Sequence, residues 1–204
     1  MTVHGSQKIY LQQKSERIDR IGDYLMNHVL PSTKLHKTNQ FNLEIGSGHG
    51  HWLTSYASNT PSEVFVGIDL ISKRVEKSET KKKNHKLKNV FFIKAEVTEF
   101  LQALPECLKI NSSFIMFPDP WPKKRHSKNR IIQYDFLTSL SQISTGTSKL
   151  YFRTDDKLYF DWTTSIIKNH TKWELCLTEW PHESNSFFQD LFNDSFTCTA
   201  RILA

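Results

Sequence analysis

Cysteine is scarce in this chain, and the few that occur do not pair. Cys107, Cys176 and Cys198 are odd in number, far apart and free of any CxxC spacing, which argues against a disulfide framework and a cysteine-based zinc site. A reducing cytoplasm is the expected location, with each thiol a small buried hydrophobe. Long apolar runs are missing too. The longest, such as 90–93 and 114–117, fall far below the roughly 18 residues a spanning helix needs, so no membrane association is expected. The first 20 residues are polar and charged and lack the apolar centre of a secretory signal. The nine histidines include no HxxxH pair and no zinc-finger spacing, so no metal is expected. His49 and His51, either side of Gly50, are read as lining a turn or facing solvent. There is no internal repeat, low-complexity tract or Pro/Gly/Ser linker, and 204 residues suit a single domain.

What is present is aromatic and basic. With 14 Phe, 5 Trp and 6 Tyr against 24% charged residues, the chain can bury a sizeable core and is not disordered. Its net charge of +6 is local. Residues 72–88 carry eight basic side chains against two acidic ones, and 121–134 carry five against none. Removing both leaves 27 − 13 = 14 basic and 21 − 2 = 19 acidic residues, or −5. Two basic clusters on an acidic body suit either a solvated helix face or a polyanion-binding surface. In the second cluster the charges alternate with Trp121, His126 and Tyr134, a mixture suited to phosphate contact and base stacking.

The pattern along the chain is an alternation. After a helical lead-in over 1–39, whose helix Pro31 is expected to end, strands are expected at 41–45, 64–69, 90–95, 113–117 and 150–153. Helices are expected between them at 50–58, 72–86, 97–103, 129–143 and 156–169. Such an alternation implies βαβ units around a parallel sheet. Two final strands, 172–178 and 196–203, are expected to close it as an antiparallel edge pair. The expectation is thus an α/β fold of Rossmann type, with a seven-stranded, mostly parallel sheet carrying helices on both faces, formed by residues 40–204.

Ligands bind such sheets beyond the carboxyl ends of the strands. There the chain reads Leu43-Glu44-Ile45-Gly46-Ser47-Gly48-His49-Gly50, a glycine-rich turn after the first strand where the backbone can approach a ligand. A GxGxxG dinucleotide fingerprint would require glycine where His51 stands. Glu44, two residues before Gly46, suits a cationic cofactor such as S-adenosylmethionine better than an anionic pyrophosphate. Asp69, ending the second strand, is placed to accept hydrogen bonds from ribose hydroxyls. Glu96, after the third, reads equally as an adenine contact or as an acid favoured at a helix N-terminus. Pro118, Pro120 and Pro122 bracket Asp119 and fix it rigidly at the end of the fourth strand.

The segment Phe117-Pro118-Asp119-Pro120-Trp121-Pro122-Lys123-Lys124-Arg125-His126-Ser127-Lys128-Asn129-Arg130 resembles the PDPWxKxRHxKRR motif of the bacterial-type tRNA (guanine-N7)-methyltransferases. Order and spacing agree over about residues 40–192, including Thr154-Asp155. The resemblance implies an enzyme that methylates N7 of a variable-loop guanosine of tRNA, at nucleotide 46, from S-adenosylmethionine. It implies that Glu44, Gly46, Gly48, Asp69, Glu96 and Asp119 contact the cofactor, with Asp119 also at the reacting centre. Lys123 and Asp155 would face the guanosine, and Lys124, Arg125, His126, Lys128 and Arg130 the RNA. The family's TxFE element corresponds to 186–189, so Ser186 and Gln189 would touch substrate, with Ser in place of Thr and Gln in place of Glu. Asn129 stands where the family has a further Arg. The resemblance implies a monomer or homodimer without an obligate partner subunit. Alternative readings are a methyltransferase for another substrate and a tRNA-binding relative without catalysis.

Overall fold

A computed structural model describes residues 2–183 and 195–203. The chain begins with a long helix, α1 (Thr2–Tyr24), which runs through a π turn at Leu25–Val29 into α2 (Leu30–Leu35). Pro31 therefore does not end the helix, contrary to expectation. The wider π turn lets the Leu30 amide reach back to the Leu25 carbonyl, and Pro31 falls in the first turn of α2, where its missing N–H is not required.

There follow β1 (Gln40–Ile45), α3 (His51–Asn59), β2 (Phe65–Asp69), α4 (Ser72–Asn84), β3 (Val90–Lys94), α5 (Val97–Ala103) and β4 (Lys109–Met116). The remainder is α6 (Tyr134–Ile143), β5 (Ser144–Thr154), α7 (Lys157–Lys168), β6 (Trp173–Cys176) and β7 (Phe196–Ile202). The strands form one seven-stranded sheet in the order β3-β2-β1-β4-β5-β7-β6. The first five are parallel; β7 runs antiparallel to both β5 and β6. This is the expected architecture with three revisions. β4 and β5 reach back to Lys109 and Ser144, because the polar amino-terminal half of β4 pairs with β1 and that of β5 with β4, although both lack an apolar signature. Residues 124–129 form a 3₁₀ turn, and α6 starts only at Tyr134. Cys107 is exposed and Cys176 and Cys198 are half-buried, rather than buried.

Each face of the sheet carries its own core. On one, Leu25, Val29, Phe41, Phe100, Leu137 and Ile167 pack beneath α1, α5, α6 and α7. On the other, Trp52, Tyr56, Phe65, Phe92, Phe114 and Tyr151 make an aromatic layer under α3 and α4. Phe114 and Tyr151 stack at 4.8 Å with their planes 9° apart. Full burial of such side chains stabilises by about 1.5–3 kcal/mol each, and these two layers absorb most of the aromatic content. The first core is also pinned electrostatically. Arg17 of α1 grips Glu99 of α5 through both carboxylate oxygens, at 2.6 and 2.9 Å, so the amino-terminal helix lies against α5. No described helix is long and apolar enough to cross a membrane.

Candidate active site

The carboxyl end of β1 turns sharply. Gly46, Gly48 and Gly50 all lie in the left-handed region, with φ of 79°, 55° and 68°, which side-chain-bearing residues enter only at a cost. The turn is held by the amides of Gly46 and Ser47, which both donate to the Ile68 carbonyl at 2.9 Å. Its glycines divide in purpose. A Cβ on Gly50 would lie 2.8 Å from Phe92 and Ser78, so this residue is pressed against the core. A Cβ on Gly46 or Gly48 would meet nothing within 4 Å; these two border open space at the mouth of the sheet.

Glu44 lies behind that space. It is buried on the central strand, between Gly67 of β2 and Phe114 of β4, and its Oε2 has no hydrogen-bond partner among the described residues. The buried Ser47 hydroxyl is likewise unpartnered. Burial, reinforced by the charge of Asp69, pushes the Glu44 carboxyl well above the ordinary carboxylate range. A buried acid with an unused oxygen beside an open cradle suits a cationic ligand group, which would favour its ionised form. Because the raised value applies to the folded state, the stability this group contributes is fully present below the ordinary carboxylate range and is lost as pH rises through the raised value. Glu44→Gln is therefore expected to flatten the fall in cofactor-free melting temperature at rising pH.

Asp69 closes the far side of the turn. Its Oδ2 accepts from the Gly48 amide at 3.0 Å and its Oδ1 from the Ile71 amide at 2.8 Å, while Arg74 stands 3.5 Å away. Each oxygen keeps acceptor capacity for an incoming hydroxyl. Glu96 caps α5, one oxygen accepting from the amides of Thr98 and Glu99 and from the Thr98 hydroxyl. Of its two readings, the helix-terminal one is realised, and the other oxygen makes none of these bonds.

At the end of β4 the Phe117 amide still pairs with the Arg153 carbonyl at 2.8 Å, after which the chain leaves the sheet. Phe117 and Trp121, both non-glycine, have φ of 48° and 47°. Strain of this kind, of order 1–3 kcal/mol per residue, persists only where surrounding contacts enforce it. It brackets Asp119, which is exposed. Much of the enforcement comes from Arg130. Expected on the RNA side, Arg130 is instead 7% exposed, its Nε donating to the Pro120 carbonyl at 2.9 Å. Its guanidinium lies 4.9 Å from the Tyr159 ring and 5.4 Å from that of Trp162. These two residues of α7 also hold the next stretch of backbone. The Tyr159 hydroxyl accepts from the Ile131 amide at 2.9 Å, and the Trp162 indole donates to the Ile132 carbonyl at 2.9 Å. Burial pushes the Tyr159 phenol up to about 12. Lys123, Arg125 and Lys128 are exposed, His126 is half-buried edge-on to Trp121 at 5.9 Å, and Lys124 begins the 3₁₀ turn. Asp155 is exposed just beyond β5, while its neighbour Asp156 caps α7 through the Tyr159 amide at 2.6 Å. Ser186 and Gln189 lie outside the described residues.

A methyltransferase family model, described as "Putative methyltransferase", matches residues 38–190. A tRNA (guanine-N(7)-)-methyltransferase of Chlamydia felis is 30% identical over 76% of this chain and 70% of its own length. The chain belongs to the tRNA (guanine-N(7)-)-methyltransferase family. The namesake enzymes of Thermotoga maritima and Caulobacter vibrioides are 37% and 34% identical over 57% and 61% of this chain. The matches span only 37% and 55% of those two relatives. Solved structures share the fold at much lower identity. An rRNA methylase from Streptococcus thermophilus superposes with a TM-score of 0.55 at 10% identity, covering 86% of this chain and 95% of its own. The aminoglycoside resistance methyltransferase NpmB1 gives 0.56 at 14%, covering 83% and 91%.

Two features of this family member escaped the sequence pattern. The first is a wall supplied by α1. Tyr10, Arg17, Arg20 and Tyr24 line a cavity of about 590 Å³ together with Leu70 and Glu96, which follow β2 and β3. No local signal links residue 10 to residue 96. The second is Arg153, 5% exposed at the end of β5. It holds both oxygens of Glu183 at 2.7 and 3.1 Å and lies 4.0 Å from the Trp180 ring, fastening residues 180–183 to the sheet. An arginine directly after the aromatic pair Tyr151-Phe152 was the available signal. Among the described residues no group of three or more His, Cys, Asp or Glu is arranged to hold a metal ion.

Proposed function

We propose that this protein transfers a methyl group from S-adenosylmethionine to N7 of a guanosine in the variable loop of tRNA, at position 46. The observation that carries the reading is the pairing of a buried Glu44, one oxygen of which has no partner among the described residues, behind an open Gly46/Gly48 cradle with the strained, exposed Asp119 loop at the neighbouring strand end. S-adenosylmethionine supplies, when bound, an electrophilic methyl on a sulfonium. Glu44 would hold its cationic group, the open turn at Gly46 and Gly48 would admit it, and Asp69 and Glu96 would offer acceptors to its ribose and adenine.

Guanine N7 carries an in-plane lone pair and no proton, so these residues need not remove one. Their task is alignment, which in favourable systems supplies roughly 7–11 kcal/mol. As N7 gains the methyl, the purine takes on positive charge, and Asp119 and Asp155 stabilise it electrostatically. Lys123 also faces the guanosine. A carboxylate there accepts from guanine N1–H and N2–H₂, groups that adenine lacks in that arrangement. Lys124, Arg125, His126 and Lys128 contact the RNA backbone, offsetting the few kcal/mol needed to unstack the base. Arg130 serves the same site from beneath, by holding the loop. The protein works in the cytoplasm as a monomer or homodimer, without a second kind of subunit.

The test is transfer of labelled methyl from S-adenosylmethionine to unmodified tRNA transcripts, with borohydride and aniline cleavage to locate N7-methylguanosine. Cleavage in the variable loop is expected. Label incorporated elsewhere in the transcript, or none despite binding of both ligands, would overturn the reading.

A further inference from the structure

Between α3 and α4, on the face of the sheet away from α1 and α5, runs an open groove of about 610 Å³. Its basic lining is Lys77 and Lys81 from α4, His51 at the start of α3, and His85 just past the end of α4. The remaining lining side chains are hydroxyls and amides, including Ser55 and Ser58, and no carboxylate is among them. We infer that this groove is a binding site for the phosphate backbone of the tRNA substrate, separate from the contacts at 123–128.

Among the described residues no carboxylate neutralises the charges in the groove. Lys81 donates to His51 Nδ1 at 2.7 Å, a cation on a neutral imidazole, which leaves two ammonium N–H groups for another acceptor. Elsewhere on α4, two of the cations are occupied, whereas Lys73 and Lys83 lie outside the groove lining. Lys82 pairs with Glu79 and lies over Phe91, and Arg74 faces Asp69. Lys77 and Lys81 have no carboxylate within ion-pair distance among the described residues. The positive field is felt locally: burial first, then Lys77, Arg74 and Lys81, hold the His49 imidazole below its ordinary range, and burial followed by Lys81 does so for His51. Uncompensated like charges destabilise a fold, and an anion in the groove removes that cost.

The shape favours a polyanion over a single phosphate. The groove follows α3 from His51 to Asn59, about 12 Å at 1.5 Å per residue, enough for more than one phosphate of a strand. Outside the two basic clusters the chain carries −5, so a polyanion is repelled by the body and held where the clusters lie. The groove is also rigidly joined to the cofactor turn. Ser78 of α4 donates to the Gly48 carbonyl at 3.2 Å, and His182, next to the Glu183 anchor, meets Ser55 at 3.0 Å. A backbone seated there is referenced to the methyl donor through fixed contacts.

This inference rests on the tRNA reading, and its test separates the two. Binding of unmodified tRNA, without S-adenosylmethionine, is measured from 50 to 200 mM salt for the wild type, for Lys77→Ala/Lys81→Ala and for Lys77→Glu/Lys81→Glu. A Lys168→Ala/Lys172→Ala protein gives the same change of net charge near the β6 edge. The groove alanine variant is expected to raise Kd about tenfold at low salt and to reduce the slope of log K against log salt by about 1–2. The glutamate pair should weaken binding further, the control should match wild type, and all should bind S-adenosylmethionine equally. Wild-type slope and affinity in the groove variants would overturn the inference while leaving the tRNA reading intact. Absence of tRNA binding by the wild type would overturn both. If inorganic phosphate shifts the His51 and His85 imidazole resonances but groove variants keep wild-type tRNA slopes, the groove holds free phosphate and the inference fails.

Discussion

Asp119→Ala is expected to lower methyl transfer to tRNA by about 10²–10³-fold, the range seen when one preorganised electrostatic contact to a developing charge is removed. The side chain is exposed and lies between Phe117 and Trp121, both held at positive φ, so its loss leaves no cavity. Stability, read by thermal melting, should therefore stay within the narrow range typical of surface substitutions, about ±0.5 kcal/mol. The salt dependence of tRNA binding should also be unchanged, because a carboxylate is not a phosphate contact. Single-turnover transfer, thermal melting and a salt series together isolate the effect. If Asp119→Ala retained wild-type turnover, the positive charge on the purine would have to be met by another group, with Asp155 the first to test. Asp119→Asn keeps the shape and hydrogen-bonding capacity and removes the charge, so a comparable loss there would assign the effect to charge.

Arg130→Ala is expected to act quite differently from its neighbours. Removing its guanidinium deletes a charge-assisted hydrogen bond to the Pro120 carbonyl, typically about 1.5–3 kcal/mol, and its stacking on Tyr159 and Trp162, about 0.5–2 kcal/mol more. A loss near 3 kcal/mol corresponds to roughly 6–12 °C in melting temperature for a domain of this size. Turnover should fall with it, because the strained loop carrying Asp119 loses its clamp. Arg130→Lys should recover little, since an ammonium offers neither the planar stack nor the fork of donors. Arg125→Ala, by contrast, changes an exposed residue. It should leave the melting temperature alone and lower the salt slope of tRNA binding by about 1. An Arg130→Ala protein with wild-type stability and a flattened salt slope would return Arg130 to the RNA surface.

These two residues also mark where the sequence was legible. The glycine turn, the acids at strand ends and the proline-locked loop are local patterns, in which the chemistry of a few adjacent residues dictates the geometry. They point to the mouth of the sheet, and the parallel order of β1 to β5 puts them there. Arg130 sits within the same local motif, yet its side chain is claimed by α7, about 30 residues on, and nothing in a run of basic residues distinguishes the buried one. The same holds for Glu44, whose position is evident from sequence but whose missing partner depends on Gly67 and Phe114 beside it. Pro31 misleads for a related reason. Its effect on a helix depends on Leu25–Val29 adopting a π turn, which no periodicity announces. The polar halves of β4 and β5 became strands because neighbouring strands needed their backbone groups, not because their side chains favoured it.

The strand order has a consequence for how this protein can change over generations. Glu44, the glycines, Asp69 and Glu96 all come from the β3-β2-β1 half of the sheet and lie within 44–96 of the chain. Asp119, the basic loop, Asp155 and the Arg153 anchor come from the β4-β5-β7 half and lie within 117–183. On the proposed roles, the residues that hold the donor and those around the reacting guanosine lie on two successive stretches of one gene, which meet along the β1–β4 seam and where His182 reaches Ser55. On those roles, change confined to the second stretch alters which base is methylated, while the donor turn and the phosphate groove between α3 and α4 are left untouched.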